Sequence, residues 1–307
     1  MSLHQNDGDN PHTLLRPKIV LPFILVGLIW GSTWYVITGQ IGDVPAAWSI
    51  TWRFALACPA MFGVALAMGR SLKIGRDGHL LAIAIGFFQF AANFGFVYRA
   101  ELHLTSGIVA LMFGMLMIPN AILGWALLGQ KVTGRFLLGG ALAMSGIVLL
   151  LVHEAQLSRL TGNVTLGTAL TIGGILAASI ANVIQAGKVG RGLPMPSLLA
   201  WSILYGVIID ATVAWITAGP PVFPARWEYW AGVAWLAIAG SVVTFPLYYQ
   251  IVREIGPGRA AYNGVLVVIV AMLISTFIEG YEWSLLAEAG AVLSLAGMVW
   301  ALRARKS

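Results

Sequence analysis

The sequence predicts an all-α integral membrane protein whose ten transmembrane helices form two inverted five-helix repeats. Three observations support this fold class: the composition, ten long apolar runs, and an internal match between the two halves. Of 307 residues, 59% are hydrophobic and only 10% are charged, whereas a soluble domain carries about 25% charged residues. Because a soluble fold of this length could not bury so much apolar surface, the surplus is expected to face lipid.

Ten apolar runs define the predicted spans, since crossing the hydrocarbon core takes about 20 apolar residues. The runs cover residues 18–38, 46–68, 78–98, 104–128, 134–152, 165–188, 197–218, 229–250, 258–278 and 284–303. Their connections are short and leave no room for a soluble domain. Residues 1–17 are polar and are expected to form a cytosolic tail rather than a cleaved signal peptide.

The distribution of Lys and Arg predicts the orientation, because these residues mark cytoplasmic loops. With the N-terminus inside, the predicted inner segments hold 14 of them and the outer loops hold 3, while Arg53 lies within a helix. An odd number of spans would destroy this alternation. Both termini are therefore expected in the cytoplasm, and the protein is expected in the cell inner membrane.

The second half of the chain aligns with the first at a constant offset of 151 residues over most of its length. The offset pairs Pro45 with Pro196, Tyr98 with Tyr249, Gly107 with Gly258, and Gly129, Gly139 and Gly146 with Gly280, Gly290 and Gly297. The predicted repeats are residues 18–152 and 165–303. Each holds five helices, an odd number, so the two lie in opposite orientations, as in many secondary transporters. A duplication that only stabilises the protein is the alternative.

The sequence offers little for catalysis. A phosphate-binding loop, HExxH, Gly-x-Ser-x-Gly and paired His/Cys ligands are all absent. His4 and His12 lie in the tail, the other three histidines lie at predicted helix ends, and Cys58 is the only cysteine. No enzyme, cofactor or metal site is predicted. The net charge of +6 is attributed to membrane-flanking loops, so no nucleic-acid partner is expected.

Uncharged polar residues recur on six of the predicted helices. Gln89 and Asn93, for example, are four residues apart and share one face of the third helix. An unpaired amide in hydrocarbon is unfavourable, so these side chains are expected to face a cavity, or else to form interhelical hydrogen bonds of about 1 kcal/mol. The predicted substrate-binding residues are Trp30, Trp34, Gln89, Asn93, Tyr98, Met112, Asn182, Gln185, Thr244, Tyr248 and Asn263.

Three charged residues interrupt the helices predicted to lie at the periphery: Arg53, Asp210 and Glu288. Arg53 and Asp210 are candidates for a structural ion pair, although an ionisable group within a membrane is also a candidate for function. Neutral amides and aromatic rings with few charges suit zwitterions or apolar solutes. Phosphates would call for Arg or Lys clamps.

Several motifs resemble the EamA-type exporters of the drug/metabolite transporter superfamily. They are WGSTW at Trp30–Trp34, WRFALA at Trp52–Ala57, and the small-residue-rich stretch 103–151 with its central Pro119. The resemblance covers nearly the whole chain in both repeats. It implies a cavity lined by helices 1, 3, 4, 6, 8 and 9. The chain departs from the family pattern where Gln130 replaces a glutamate and where the second copy has Gly280-Tyr281.

Together, the residues and the resemblance predict a secondary transporter that exports neutral or aromatic amino acids by alternating access. Facilitated diffusion or exchange is expected, because no titratable group is found near the midplane of the six lining helices. An exporter of drugs or lipophilic cations and a non-transporting membrane module are the alternatives. The predicted partners are a small-molecule substrate and the lipid bilayer. A monomer is expected, with an oligomer left open.

Overall fold

The computed structural model describes residues 17–129, 132–157, 163–248, 250–251 and 262–304. All regular secondary structure in these ranges is helical. The helices are α1 Pro17–Thr38, α2 Ala46–Ala67, α3 Gly75–Ala100, α4 Ser106–Leu128, α5 Gly134–Leu157, α6 Val164–Gln185, α7 Met195–Ala218, α8 Trp227–Tyr248, α9 Tyr262–Phe277 and α10 Leu285–Ala304. A short helical segment, Lys188–Arg191, connects α6 to α7.

Eight of the helices, α1 to α8, are long and apolar enough to cross a bilayer. Within the described residues, the apolar stretches of α9 and α10 are shorter, at Asn263–Phe277 and Leu285–Ala301. The predicted all-helical membrane fold is therefore confirmed, with eight candidate spans among the described residues. The protein is a multi-pass membrane protein.

Large apolar side chains cover the outside of the bundle. Leu285, Phe277 and Ile216 are 83%, 81% and 76% exposed, values that would make a water-soluble surface prone to association. On a membrane protein, apolar side chains on the outside of the bundle face lipid rather than water. This exposure accounts for the apolar surplus in the composition.

Prolines and glycines set several helix ends. Pro45 precedes α2 and Pro194 precedes α7, where a residue without an N–H group is tolerated. Gly129 ends α4 with a φ of +65°, a left-handed conformation that favours glycine. Asn163 caps α6 by accepting a 3.0 Å hydrogen bond from the backbone N–H of Leu166.

Close helix pairs form the frame of the bundle. The closest is α5 with α10, where Gly146 lies against Gly290 and Gly297 lies against Ala143, so that any added Cβ atom would meet backbone. Small residues allow such approach in membranes. The other main pairs are α2 with α7, α4 with α9, α1 with α9, α4 with α6, α3 with α6, α1 with α8, α3 with α7 and α2 with α8.

Two apolar cores lie on either side of a central cavity. One is built mainly by α4, α5, α9 and α10, and it contains Met112, Leu150 and Met298. The other is built mainly by α2, α3, α7 and α8, and it contains Phe54 and Phe90. The wall of the cavity includes members of both cores, such as Met117 of the first and Phe245 of the second.

Two helices contain π-helical segments beside this cavity, Gly86–Ala92 in α3 and Trp235–Val243 in α8. A π turn adds a residue to the helical repeat and is frequently found at functional sites. Shifted by the predicted offset of 151 residues, the first segment falls on 237–243, inside the second. The two segments change which side chains face the centre of the bundle.

Candidate functional site

The central cavity has a volume of about 200 Å³, below the range of roughly 300–1,000 Å³ that is typical for drug-sized ligands. Its wall comes from α1, α3, α4, α6, α8 and α9, with one side chain from α2. These six helices are the ones on which the sequence placed the polar faces. The volume suits a small solute.

One side of the cavity is aromatic. Trp30 of α1 packs against Tyr248 and Phe245 of α8, with ring centroids 5.0 Å and 5.6 Å apart. Its indole Nε1 donates to the carbonyl oxygen of Gly240 at 3.2 Å, which fixes the ring against the π segment. Trp34, one turn further along α1, packs on Phe113 of α4 at 5.0 Å.

Amide side chains line the rest of the wall. Gln89 and Asn93 come from α3, Asn120 from α4, Asn182 from α6 and Asn263 from α9. Asn263 Nδ2 donates to the carbonyl oxygen of Phe23 at 2.6 Å, which ties α9 to α1.

Several polar atoms of the wall are buried without a protein partner. The Oδ1 atoms of Asn93, Asn120 and Asn263 and the indole Nε1 of Trp34 find no hydrogen-bond partner among the described residues. Buried polar groups are normally hydrogen-bonded, and leaving one unpaired costs about 1–3 kcal/mol. A polar ligand or water in the cavity would satisfy them.

Arg53 of α2 also lines the cavity, although the sequence placed it on a peripheral helix. Its side chain is only 2% exposed, and Nη2 donates to Ser241 Oγ at 3.3 Å. The structure shows no ion pair with Asp210, whose side chain is buried separately on α7. The sequence feature that could have identified Arg53 is its position as a single charged residue within an apolar helix, which makes it a candidate for function.

Seven of the eleven predicted substrate-binding residues line the cavity. They are Trp30, Trp34, Gln89, Asn93, Asn182, Tyr248 and Asn263. The other four are buried elsewhere: Tyr98 lies in the second apolar core, Met112 in the first, Gln185 at the end of α6, and Thr244 within α8. Residues of the wall that the sequence did not select include Thr33, Arg53, Phe94, Phe113, Asn120 and Phe245.

The π segment accounts for the position of Thr244 outside the cavity wall. The α8 residues in the wall are Gly240, Phe245 and Tyr248, so the first two are five residues apart. This is the period of a π turn rather than of an α-helix. An α-helical spacing of four from Gly240 or Tyr248 selects Thr244 instead of Phe245.

A pair of carboxyl groups lies beyond the ends of α3 and α9. Glu101 is 8% exposed, and neither of its carboxyl oxygens has a hydrogen-bond partner within the described ranges. Burial, and then repulsion by Glu279, raise the pKa of Glu101 well above its usual value, while Arg53 opposes that rise. Glu279 accepts a 2.7 Å hydrogen bond from Ser106 Oγ.

The described residues contain no group of three or more metal-ligating side chains.

Comparisons with known proteins agree with this architecture. Protein PagO of Salmonella typhimurium is 22% identical over 88% of this chain and 88% of its own length. An Escherichia coli K12 protein named as a probable amino-acid metabolite efflux pump is 24% identical over 92% and 95%. The uncharacterized inner membrane transporter YedA of the same organism is 26% identical over 82% and 80%.

A solved crystal structure shares the fold. It superposes with a TM-score of 0.68 at 18% identity, covering 93% of this chain and 97% of the other. The sequence pattern of the EamA-like transporter family matches residues 17–152 and again residues 164–303. The resemblance seen in the motifs is thereby confirmed. The chain belongs to the EamA-like transporter family.

Proposed function

We propose that this membrane transporter exports neutral amino acids, aromatic ones among them, from the cytoplasm across the cell inner membrane. The observation that carries the proposal is the central cavity, where aromatic rings face amide groups with unpaired oxygens. An aromatic side chain gains about 0.5–1.5 kcal/mol per ring pair beyond its burial. The unpaired amide oxygens can accept hydrogen bonds from an ammonium group.

The topology in this proposal has ten spans, two inverted five-helix halves, and both termini in the cytoplasm. The separate family matches to the two halves support it. The most extensive helix contacts support it as well. Exchanging each helix for the one five places away leaves α5 with α10, α2 with α7 and α4 with α9 unchanged, and converts α1 with α9 into α4 with α6. In such repeats the substrate site lies between the halves, and rocking of one half against the other gives alternating access.

Two relatives favour export from the cytoplasm of a bacterial cell. One is named as a probable amino-acid metabolite efflux pump, and the other as an inner membrane transporter. Each name describes that relative only. Because the sequence identities are low, the proposed substrate class rests on the residues of the cavity. The cavity wall contains no carboxylate in the described residues and does contain Arg53, which disfavours lipophilic cations.

The test is uptake into proteoliposomes that contain the purified protein. Labelled phenylalanine, tryptophan, leucine and alanine would be compared with tetraphenylphosphonium, a lipophilic cation. We expect saturable flux of the large neutral amino acids above that of protein-free liposomes. Flux of the cation alone would favour the drug-exporter alternative, and absence of any flux would favour a non-transporting module.

A further inference from the structure

Arg53 is a buried cation that the protein only partly satisfies. Its Nη2 donates a hydrogen bond to Ser241 Oγ, and its charge also interacts with the Tyr98 hydroxyl. The guanidinium lies over the ring of Phe94, with Cζ 4.3 Å from the centroid. Nε and Nη1 have no hydrogen-bond partner in the described part of the chain. A guanidinium offers five N–H donors, and an unpaired charge in a low-dielectric environment is strongly unfavourable.

The nearby acids do not neutralise this charge by direct contact. Glu101 is close enough to interact electrostatically with Arg53, but neither of its oxygens forms a hydrogen bond with any described residue. Asp210 forms no ion pair with Arg53, and Asp43 is paired with Arg226 at 3.0 Å. No aspartate or glutamate belongs to the described wall of the cavity. Nε and Nη1 of Arg53 thus keep hydrogen-bonding capacity that no carboxylate of the described residues uses.

We propose that Arg53 binds the carboxylate of the transported solute. This inference rests on the proposed function and deepens it, because it makes a carboxylate a requirement for recognition. Arginine is suited to this role, since its planar donors match the two oxygens of a carboxylate. Ser241 and Phe94 hold the guanidinium in place, and the helix that carries it packs against both α7 and α8.

The opposite polarity is present elsewhere in the same wall. The unpaired oxygens of Asn93, Asn120 and Asn263 are acceptors, and the faces of Trp30 and Tyr248 carry the negative ring quadrupole that attracts ammonium groups. A zwitterion therefore finds a cation for its carboxylate and acceptors for its ammonium. A cation without a carboxylate meets Arg53 and is repelled.

The experiment compares three ligands that share one aromatic ring. Phenylalanine carries both charges, phenylalaninamide lacks the carboxylate, and 3-phenylpropionate lacks the ammonium. Each would compete with labelled phenylalanine for the protein in proteoliposomes. We expect phenylalaninamide to bind at least about tenfold more weakly than phenylalanine, because loss of a buried charged hydrogen bond typically costs that much or more. Equal competition by phenylalanine and phenylalaninamide would overturn the proposal.

Three variants sharpen the comparison. Arg53→Gln removes the charge, Arg53→Lys keeps it without the planar donors, and Arg99→Gln removes an exposed arginine outside the cavity wall. We expect Arg53→Gln to lose the preference for phenylalanine over phenylalaninamide, Arg53→Lys to keep part of it, and Arg99→Gln to behave as wild type. A folded Arg53→Gln protein with the wild-type preference would overturn the proposal. If Arg53→Gln does not fold, the wild-type ligand comparison and Arg53→Lys decide.

A thermal-stability measurement separates this inference from the proposed function. If no amino acid is transported, the proposed function fails. A rise in the melting temperature with 3-phenylpropionate that Arg53→Gln abolishes and Arg99→Gln retains would still support the carboxylate site. No stabilisation by either 3-phenylpropionate or phenylalanine would overturn the carboxylate site as well.

Discussion

The guanidinium of Arg53 on α2 lies 4.3 Å from the ring centroid of Phe94 on α3, and both residues line the central cavity. The ring covers one face of the cation, while Ser241 of α8 accepts a hydrogen bond from its edge. Three helices therefore determine where the positive charge lies. This arrangement holds the charge at the cavity wall instead of letting it extend to the aqueous phase, as long cationic side chains do near membrane surfaces.

Replacing Phe94 with alanine should weaken amino-acid transport without removing the charge. A cation–π contact contributes about 0.5–2 kcal/mol, so we expect the apparent affinity for phenylalanine to fall by about 2- to 30-fold. The control is Phe277→Ala, which shortens a lipid-facing ring that is 81% exposed. Initial rates over a range of phenylalanine concentrations provide the measurement. Equal affinities for wild type and Phe94→Ala would remove this contact from substrate recognition.

Shortening the aromatic side of the cavity should change selectivity more than folding. In Trp30→Ala or Tyr248→Ala, we expect transport of phenylalanine and tryptophan to fall more than transport of alanine, because only the large substrates use the ring surface. Trp215→Ala is the matched control, since Trp215 is 59% exposed on α7 and faces away from the cavity. Equal reduction for large and small substrates would contradict an aromatic selectivity wall.

The sequence predicted the helices and part of the cavity wall, whereas a π segment and a long side chain placed other residues differently. The alternation of apolar runs and charged loops predicted the helix bounds closely. The face that Gln89 and Asn93 share lies at the cavity wall. Thr244 lies outside the cavity wall because a π segment changes the helical period, which residue spacing alone does not reveal. Arg53 was set aside because α2 looked peripheral, yet its long side chain extends between neighbouring helices into the cavity wall.

Glu101 should make the stability of the protein depend on pH. Its pKa is raised in the folded state above the usual 4.5 by burial and by Glu279, with Arg53 opposing. The folded state therefore binds more protons than the unfolded state, and the free energy of unfolding decreases as pH rises above about 4.5 towards the folded pKa. Glu101→Gln should flatten this decrease and raise the melting temperature at neutral pH.

The measurement is the melting temperature of the detergent-solubilised protein from about pH 5 to about pH 8. Glu288→Gln serves as the control, because Glu288 is exposed in the first turn of α10. A Glu101→Gln profile that parallels the wild type, or a wild-type melting temperature that rises with pH, would show that the buried carboxyl does not control this dependence.

The two halves should open the cavity to opposite sides of the membrane. On a Cys58→Ser background, we expect Asn93→Cys to react with a charged thiol reagent from the predicted outer side and Asn182→Cys from the inner side. Phenylalanine should slow both reactions, because both residues line the cavity. Val213→Cys, a lipid-facing control at 40% exposure, should stay unreactive. Lack of reaction at 93 and 182 from either side, with and without substrate, would rule out alternating access to this cavity.

The most direct test of the central claim, that this cavity carries amino acids across the membrane, is counterflow in proteoliposomes. Vesicles preloaded with unlabelled phenylalanine and diluted into a trace of labelled phenylalanine should accumulate the label transiently. This should occur without an imposed pH gradient or membrane potential, because exchange through one cavity needs neither. We expect this accumulation in the wild type and its loss in Arg53→Gln. No label uptake into preloaded wild-type vesicles, or uptake that requires an inward proton gradient, would contradict it.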